Sequence, residues 1–164
     1  KEDALAFKNR FERITFGDPL LTTQQDHVEI VNAICQEFSN LPADCALILM
    51  GHGTSHYAND VYAALDYRFK DLGFSNIHLA TVEGYPTLEN VTRMVKEQEA
   101  KKVILAPFMI VAGDHARNDM SGDDEDSWKN QFRAAGYDVE CRMKGLGEYP
   151  AIQDMLIRHV TEVC

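Results

Sequence analysis

The sequence lacks the features that would assign it to a membrane or to nucleic acid. Its most apolar run, residues 103–112, is well short of the roughly 20 residues that a helix needs to cross a bilayer. Its 26 acidic residues outnumber 16 basic ones, and the net charge is −10. Phosphate binding needs a basic face, so this balance argues against a nucleic-acid partner. We therefore expect neither a membrane nor a nucleic acid among its partners.

Several motifs of common enzyme classes are also missing. The four cysteines form no CxxC pair, so the sequence predicts neither a thiolate zinc site nor a redox motif. No GxGxxG or GxxxxGK[ST] loop occurs, and we expect no nucleotide cofactor. No GxSxG elbow occurs either, which leaves a serine hydrolase without support.

Length and the first residues bear on organisation and location. A chain of 164 residues is enough for one ordinary domain with a core of its own. Residues 1–10 are charged and do not resemble a signal peptide. We expect a cytoplasmic protein. The periplasm stays open because the chain does not begin with methionine and its true N-terminus is not visible.

The hydrophobic pattern alternates between strand and helix periods. Apolar runs predict strands at 45–50, 76–82, 103–112 and near 138–143. Helical spacing follows each of them, at about 58–72, up to about 100, near 126–135 and from Pro150 to about Val163, and an earlier helix is predicted near 24–39. Such alternation predicts an α/β fold with a doubly wound, four-stranded parallel sheet and helices on both faces. Pro107 predicts a bulge or a sheet edge in the third strand.

Each of the first three predicted strands ends in a glycine-containing loop with a chemically active side chain. These side chains are His52, Glu83 and His115. The carboxyl ends of parallel strands share one edge of the sheet, so the three loops are expected to meet. Two imidazoles and a carboxylate suit a divalent metal site with open positions, and they equally suit an acid–base pair near neutral pH. A lone loop histidine is also typical of a helix cap or a turn.

Other residues near this edge have more than one reading each. His56, four residues after His52, is interpreted as a support behind the metal ligands or a substrate contact, or as an exposed helix residue. Asp114 either orients the ring of His115, as carboxylates do for metal-bound histidines, or serves in the turn. Tyr85 and Met109 either line a pocket for a flat ligand or belong to the core.

Several sequence motifs, which include the three candidate site residues, together resemble a known family. The motifs are GHGTSH at 51–56, VEGYP at 82–86, PFMIVAGDHA at 107–116, NDM at 118–120, GDDEDSWK at 122–129 and GLGE at 145–148. Together they resemble the CbiK-type sirohydrochlorin cobaltochelatases, which belong to the class II chelatases along with ferrochelatase. The resemblance covers residues from about 41 to the C-terminus.

The resemblance implies an activity and a set of site residues. Such enzymes insert Co²⁺ into sirohydrochlorin, a reduced tetrapyrrole, without ATP, in anaerobic cobalamin biosynthesis. The metal-contacting residues of the family fall on His52, Glu83 and His115, which are also the implied catalytic residues. Weaker substrate-binding candidates are His56, Tyr85 and Met109. Cobalt is then a substrate, and no nucleotide takes part.

The resemblance also implies a domain arrangement. Such chelatases consist of two similar α/β halves with the active cleft between them. We expect residues 41–164 to be a C-terminal α/β chelatase domain and 1–40 to be a linking helical segment. The N-terminal half, a second subunit or a homo-oligomer would then complete the cleft. An iron or other divalent-metal chelatase, or a non-catalytic tetrapyrrole or metal carrier, remain as alternative functions.

Overall fold

A four-stranded parallel sheet forms the centre of the computed structural model, which describes residues 2–164. Its strands are β1 (Cys45–Gly51), β2 (Ile77–Thr81), β3 (Lys102–Pro107) and β4 (Asp138–Cys141), in the spatial order β2-β1-β3-β4. Leu47 of β1 lies opposite Ile77 on one side and Ile104 on the other. The predicted α/β fold and its four parallel strands are confirmed.

Residues 2–164 form six α-helices. They are α1 (Glu2–Leu5), α2 (Gln24–Glu37), α3 (Asp60–Asp71), α4 (Leu88–Glu97), α5 (Trp128–Ala134) and α6 (Pro150–Thr161). Thr23 and Thr87 start α2 and α4, because each hydroxyl accepts a bond from the backbone N–H three residues later. Pro150 starts α6, where its missing N–H has no cost. None of the helices formed by residues 2–164 is both long and apolar enough to cross a membrane.

The helices cover both faces of the sheet, and every residue of its strands β1 and β2 is buried. One cluster joins α2, α3 and α6 to alternate residues of β1, such as Leu47 and Leu49. A second cluster joins α4 and α5 to the residues between them, such as Ile48 and Met50. Every residue of β1 is buried. The unbroken apolar run of β1 follows from this, because both faces of an interior parallel strand meet helices.

Side chains from α3 satisfy the outer edge of β2. Lys70 Nζ donates to the carbonyl oxygen of Ile77 at 2.5 Å, and the N–H of Leu79 donates to Asp66 Oδ1 at 2.8 Å. Lys70 and Asp66 also form an ion pair at 2.7 Å. The edge is therefore closed to a further strand along these residues, as edge strands commonly are.

The third strand is shorter than predicted. Strand pairing ends at Pro107, whereas the apolar run continues to residue 112. Ile110 and Val111 are 44% and 69% exposed, so apolar character there does not mark a strand. The predicted bulge at Pro107 is absent, because the register between β1 and β3 runs without interruption to Met50 and Pro107, and β3 as a whole is an interior strand. Pro107 is tolerated as the last residue of β3, where pairing with β4 has already ended at Leu105 and Cys141.

The region before β1 takes part in the same core. Before α2, the described residues form α1 and a single 3₁₀ turn, Lys8–Arg10. By contrast, Ile30 and Ile34 of α2 are fully enclosed beside β1 and α6. Buried Asp26 joins α2 to α6 through His159 Nε2 at 2.9 Å. The interpretation of residues 1–40 as a linking segment stays a prediction, and α2 packs as part of the α/β unit.

Candidate metal centre

The loops after β1 and β2 stay paired beyond the ends of their strands. The N–H of Val82 donates to the carbonyl oxygen of Gly51 at 3.0 Å, and the N–H of Glu83 donates to that of His52 at 2.9 Å. These bonds carry the parallel register into the loops and fix two of the predicted site residues as neighbours. His52 Nδ1 lies 3.8 Å from Glu83 Oε2.

Gly53 allows this close approach. Its backbone has φ of +84°, a left-handed conformation that side chains make costly. A Cβ atom at this position would lie 2.6 Å from the backbone nitrogen of Gly84 in the neighbouring loop. The glycine after His52 is therefore required both by the turn and by contact with the loop of Glu83.

Two side chains near the start of α3 hold the same pair of loops. Asn59 Oδ1 accepts from the N–H of Thr54 at 3.0 Å, and Asn59 Nδ2 donates to the carbonyl oxygen of Tyr85 at 2.7 Å. Asn59 is 9% exposed, so both bonds are shielded from water. The hydroxyl of Tyr62 accepts from the N–H of Gly53 at 3.4 Å. Asn59 therefore connects the loop of His52 to the loop of Glu83, and Tyr62 supports the loop of His52.

His115 reaches the same place from the longer loop after β3. It precedes one turn of π-helix, Ala116–Met120, in which the N–H of Ser121 donates to the carbonyl oxygen of Ala116 at 3.1 Å. Ala116 and Met120 are fully buried and anchor this turn in the core. The ring of His115 meets the ring of His52 edge-on, with 4.7 Å between their centroids.

The three predicted ligands are therefore brought together. One ligand atom each from His52, Glu83 and His115 lie within 4.8 Å of one another. Atoms that bind one divalent ion at about 2.1 Å can be at most about 4.2 Å apart, so closure needs a shift of only several tenths of an ångström. The side chains of His52 and Glu83 are 49% and 58% exposed, and their rotamers can supply this shift. The arrangement can hold a cation and leave positions open for a further ligand.

Hydrogen bonds orient both imidazoles. His52 Nδ1 lies 2.9 Å from the carbonyl oxygen of Gly53, and His115 Nδ1 lies 2.5 Å from Asp119 Oδ2. A carbonyl oxygen only accepts, and so does an ionised carboxylate, so both Nδ1 atoms carry hydrogen, and in the neutral rings the lone pair is on Nε2. The orienting role offered to Asp114 is wrong. Asp114 is exposed, and Asp119 supplies the carboxylate.

A groove of about 1010 Å³ lies between residues 19–22 and the loops that follow β1 and β3, and none of His52, Glu83 and His115 is among the residues that line it. Its apolar lining includes Phe108 and Met109, and its polar lining includes Thr54 and His56 from the loop that carries His52. Two of the three weaker substrate candidates, His56 and Met109, thus line the groove. Tyr85 is 59% exposed and lies outside the lining.

His56 does not join the three ligands. Its Nδ1 accepts from the N–H of Ala58 and caps the short 3₁₀ turn Tyr57–Asn59. Its ring stacks on Tyr57 with 4.0 Å between centroids, and Tyr57 is 83% exposed. A stacked, exposed pair at the mouth of a groove can meet a flat ligand. The substrate roles of His56, Tyr85 and Met109 stay predictions.

Three residues that shape the centre were not found from the sequence. They are Asn59, Tyr62 and Asp119. Asp119 had a recognisable signal, because a carboxylate four residues after a histidine lies on the same side of a helical turn. Asn59 and Tyr62 had none, because their partners lie in loops that only the fold brings to α3.

Two curated relatives match most of the chain. The chain is 40% identical over 150 residues to a sirohydrochlorin cobaltochelatase from Salmonella typhimurium, which is 92% of this chain and 56% of that protein. It is 32% identical over 163 residues to the sirohydrochlorin cobaltochelatase CbiKC from Nitratidesulfovibrio vulgaris, which is 97% of this chain and 56% of that protein. The chain thus spans about half the length of the curated relatives it matches.

A solved structure shares the fold. A multi-domain protein from Deinococcus radiodurans, described as structurally similar to chelatases with two additional novel domains, matches with a TM-score of 0.55. The match covers 82% of this chain and 29% of the other at 18% identity, so it bears on the fold alone.

The sequence model of one family extends over nearly every residue. The description of that family is cobalt chelatase (CbiK), and its model matches residues 2–164. His52, Glu83 and His115 all lie within the matched range. From this match and the two relatives, the chain belongs to the cobalt chelatase (CbiK) family.

Proposed function

We propose that this protein acts as a sirohydrochlorin cobaltochelatase, which inserts Co²⁺ into the reduced tetrapyrrole in a step of cobalamin biosynthesis that needs no nucleotide. The observation that carries the proposal is the convergence of His52, Glu83 and His115 within 4.8 Å in a member of the cobalt chelatase family. Both curated relatives bear this name. Because the chain spans about half their length, the activity of the whole protein is part of the proposal.

The three side chains would deliver the metal substrate. Two imidazoles and one carboxylate hold a divalent ion firmly enough to remove some of its water, yet they leave coordination positions free. The half-exposed positions of His52 and Glu83 support this role, because an ion there stays accessible to pyrrole nitrogens. A closed site of four protein ligands would retain the metal instead.

Insertion also has to remove two protons. Bonds form between the metal and the pyrrole nitrogens while two N–H bonds break, and the two protons leave to bases nearby. His52 is the favoured acceptor in this proposal, since an imidazole released from the ion can take a proton near neutral pH. Glu83 is 3.8 Å from the His52 ring and would stabilise the resulting imidazolium.

The macrocycle would lie at the groove between residues 19–22 and the loops that follow β1 and β3. Apolar Met109 and Ile110 suit its flat face, since Ile110 is 44% exposed, and the stacked pair of His56 and Tyr57 lies at the same opening. The opposite wall would come from an N-terminal half, from a second subunit or from a homo-oligomer. Those partners, and a location in the cytoplasm, are part of the proposal.

The decisive experiment supplies Co²⁺ and sirohydrochlorin under anaerobic conditions and follows the change in tetrapyrrole absorbance. We expect insertion by the wild type and its loss in His52→Ala, His115→Ala and Glu83→Gln. Glu89→Gln is the matched control, because Glu89 is an exposed carboxylate at the start of α4 and outside the ligand cluster. Thermal unfolding of each variant should stay close to that of the wild type, since all these side chains are at least partly exposed.

The possible results separate the candidate functions. A protein that binds Co²⁺ and the tetrapyrrole without metallation would be a carrier, and the proposal would be wrong. Faster insertion of Fe²⁺ than of Co²⁺ under matched conditions would indicate an iron chelatase. Wild-type turnover in any of the three ligand variants would remove that residue from the assignment.

A further inference from the structure

We propose that Asp119 is a positioning residue for the metal centre, which holds His115 in the one tautomer and ring orientation that present its Nε2 lone pair to the metal substrate. No ligand role falls on Asp119 itself, because it acts on the ion only through His115. This inference rests on the proposed function for the identity of the ion.

The contact is direct and leaves little freedom to the ring. Asp119 Oδ2 lies 2.5 Å from His115 Nδ1, and the two residues are four apart in the chain. An ionised carboxylate can only accept a hydrogen bond, so Nδ1 must carry the hydrogen. The lone pair of the neutral ring is then on Nε2. Without this acceptor, the ring could carry its hydrogen on either nitrogen and could rotate about its side-chain bonds.

The backbone fixes Asp119 where it can perform this task. The π-helical turn Ala116–Met120 begins and ends at residues that have no solvent exposure. Both of these residues pack in the same buried cluster as α5. The hydroxyl of Ser121 also donates to the carbonyl oxygen of Ala116 at 2.8 Å and secures the end of the turn. His115 and Asp119 are both partly exposed, so the turn presents the pair at the surface while its other side is held in the core.

Comparison with His52 shows why His115 needs a side chain to orient its ring. His52 gives its Nδ1 hydrogen to the carbonyl oxygen of the next residue, Gly53, so its own loop orients it. His115 has no comparable backbone contact among the described residues, and a side chain takes that place. Both rings reach the same arrangement, with hydrogen on Nδ1 and a lone pair on Nε2, by different means.

The first test measures the tautomer directly on the metal-free protein. Long-range ¹H–¹⁵N spectra distinguish the two nitrogens of each imidazole, and the His115 signals are assigned by their loss in His115→Gln. We expect the Nδ1–H form of His115 in the wild type and in Asp119→Asn, whose amide oxygen can accept the same bond. In Asp119→Ala we expect the Nε2–H form to become substantial. The signals of His52 should not change.

The second test measures Co²⁺ affinity by calorimetry on the same proteins. Loss of the acceptor in Asp119→Ala should weaken binding by about 10–100-fold, the usual effect of removing a carboxylate behind a metal-bound histidine. Asp119→Asn should recover most of this loss. Asp114→Ala is the matched control, because Asp114 is the exposed carboxylate adjacent to His115 and makes no bond to its ring. It should bind as the wild type does.

Each departure from these results overturns the inference. If Asp119→Ala keeps the Nδ1–H form of His115, or binds Co²⁺ within about threefold of the wild type, Asp119 does not position the ring. Weaker binding with an unchanged tautomer would show that the charge alone matters. Absence of insertion into sirohydrochlorin by the wild type would contradict the proposed function and leave this inference intact, since neither test measures insertion.

Discussion

Replacement of Gly53 by alanine places a methyl group between the two loops that carry His52 and Glu83. The new Cβ would lie 2.6 Å from the nitrogen of Gly84 and 3.0 Å from the carbonyl carbon of Glu83. Ordinary contacts of a methyl group begin near 3.5 Å, so the loops must separate by roughly 1 Å. Glu83 would then move away from His52, and the ligand atoms would no longer fit one ion.

The cost of this substitution has two parts. The left-handed backbone at φ of +84° costs a non-glycine residue roughly 1–2 kcal/mol. Forcing the packed loops apart adds about 1–3 kcal/mol. A total of about 3 kcal/mol corresponds to a drop in Tm of about 6–12 °C for a domain of this size. Insertion should slow by about 100-fold, the usual effect of a displacement near 1 Å on catalysis.

Two further alanine variants separate these contributions. Gly73 has φ of +88° with nothing within 4 Å of its Cβ position, so Gly73→Ala measures the backbone cost alone. It should lower Tm by about 3–6 °C and leave Co²⁺ affinity unchanged. Gly113 lies in the loop of His115, with neither a positive φ nor a neighbour within 4 Å. Gly113→Ala should therefore leave both stability and Co²⁺ affinity close to those of the wild type.

Thermal unfolding and Co²⁺ calorimetry on the four proteins decide the outcome. Co²⁺ binding by Gly53→Ala as tight as that of the wild type would contradict this prediction, because the loops would then tolerate the methyl group without moving the ligands. Equal weakening of binding in Gly113→Ala and Gly53→Ala would contradict it as well. That result would mean that any methyl group added near the metal centre weakens Co²⁺ binding, whether or not it contacts the neighbouring loop.

Two predictions concern the side chains that support the centre and the core. Asn59→Leu should destabilise the protein by about 2 kcal/mol in urea unfolding and weaken Co²⁺ binding, because it leaves the N–H of Thr54 and the carbonyl oxygen of Tyr85 without a partner. An unchanged stability together with an unchanged Co²⁺ affinity would contradict the bridging role of Asn59. The hydrogen bond to Asp26 raises the pKa of His159. Burial alone would raise the pKa of Asp26, but the hydrogen bonds from Thr23 and His159 outweigh burial, and the pKa of Asp26 is lowered. Stability from this pair should therefore be lost as pH rises through the raised pKa of His159 and as pH falls through the lowered pKa of Asp26. Asp26→Ala should remove about 3 kcal/mol at neutral pH and flatten the profile, and a profile like that of the wild type would refute the assignment.

The hydrophobic pattern of the sequence predicts much of the fold, but it does not predict where β3 ends. The unbroken apolar run of β1 predicts a strand covered on both faces, and all of its residues are buried. The apolar run of the third strand predicts pairing to residue 112, yet pairing ends at Pro107 and Val111 is 69% exposed. Apolar character reports burial or binding surface, whereas a strand also needs a neighbour for its backbone bonds.

The sequence by itself determined that His52, Glu83 and His115 meet, because loops that follow parallel strands share one edge of the sheet. It could not determine what holds them. The bridge through Asn59 joins two loops that are distant along the chain, and the choice of Asp119 over Asp114 depends on a π-helical turn that no local pattern announces. Strand order sets which residues are near one another, and only tertiary packing fixes the rotamers and loop backbones that decide which of them bond.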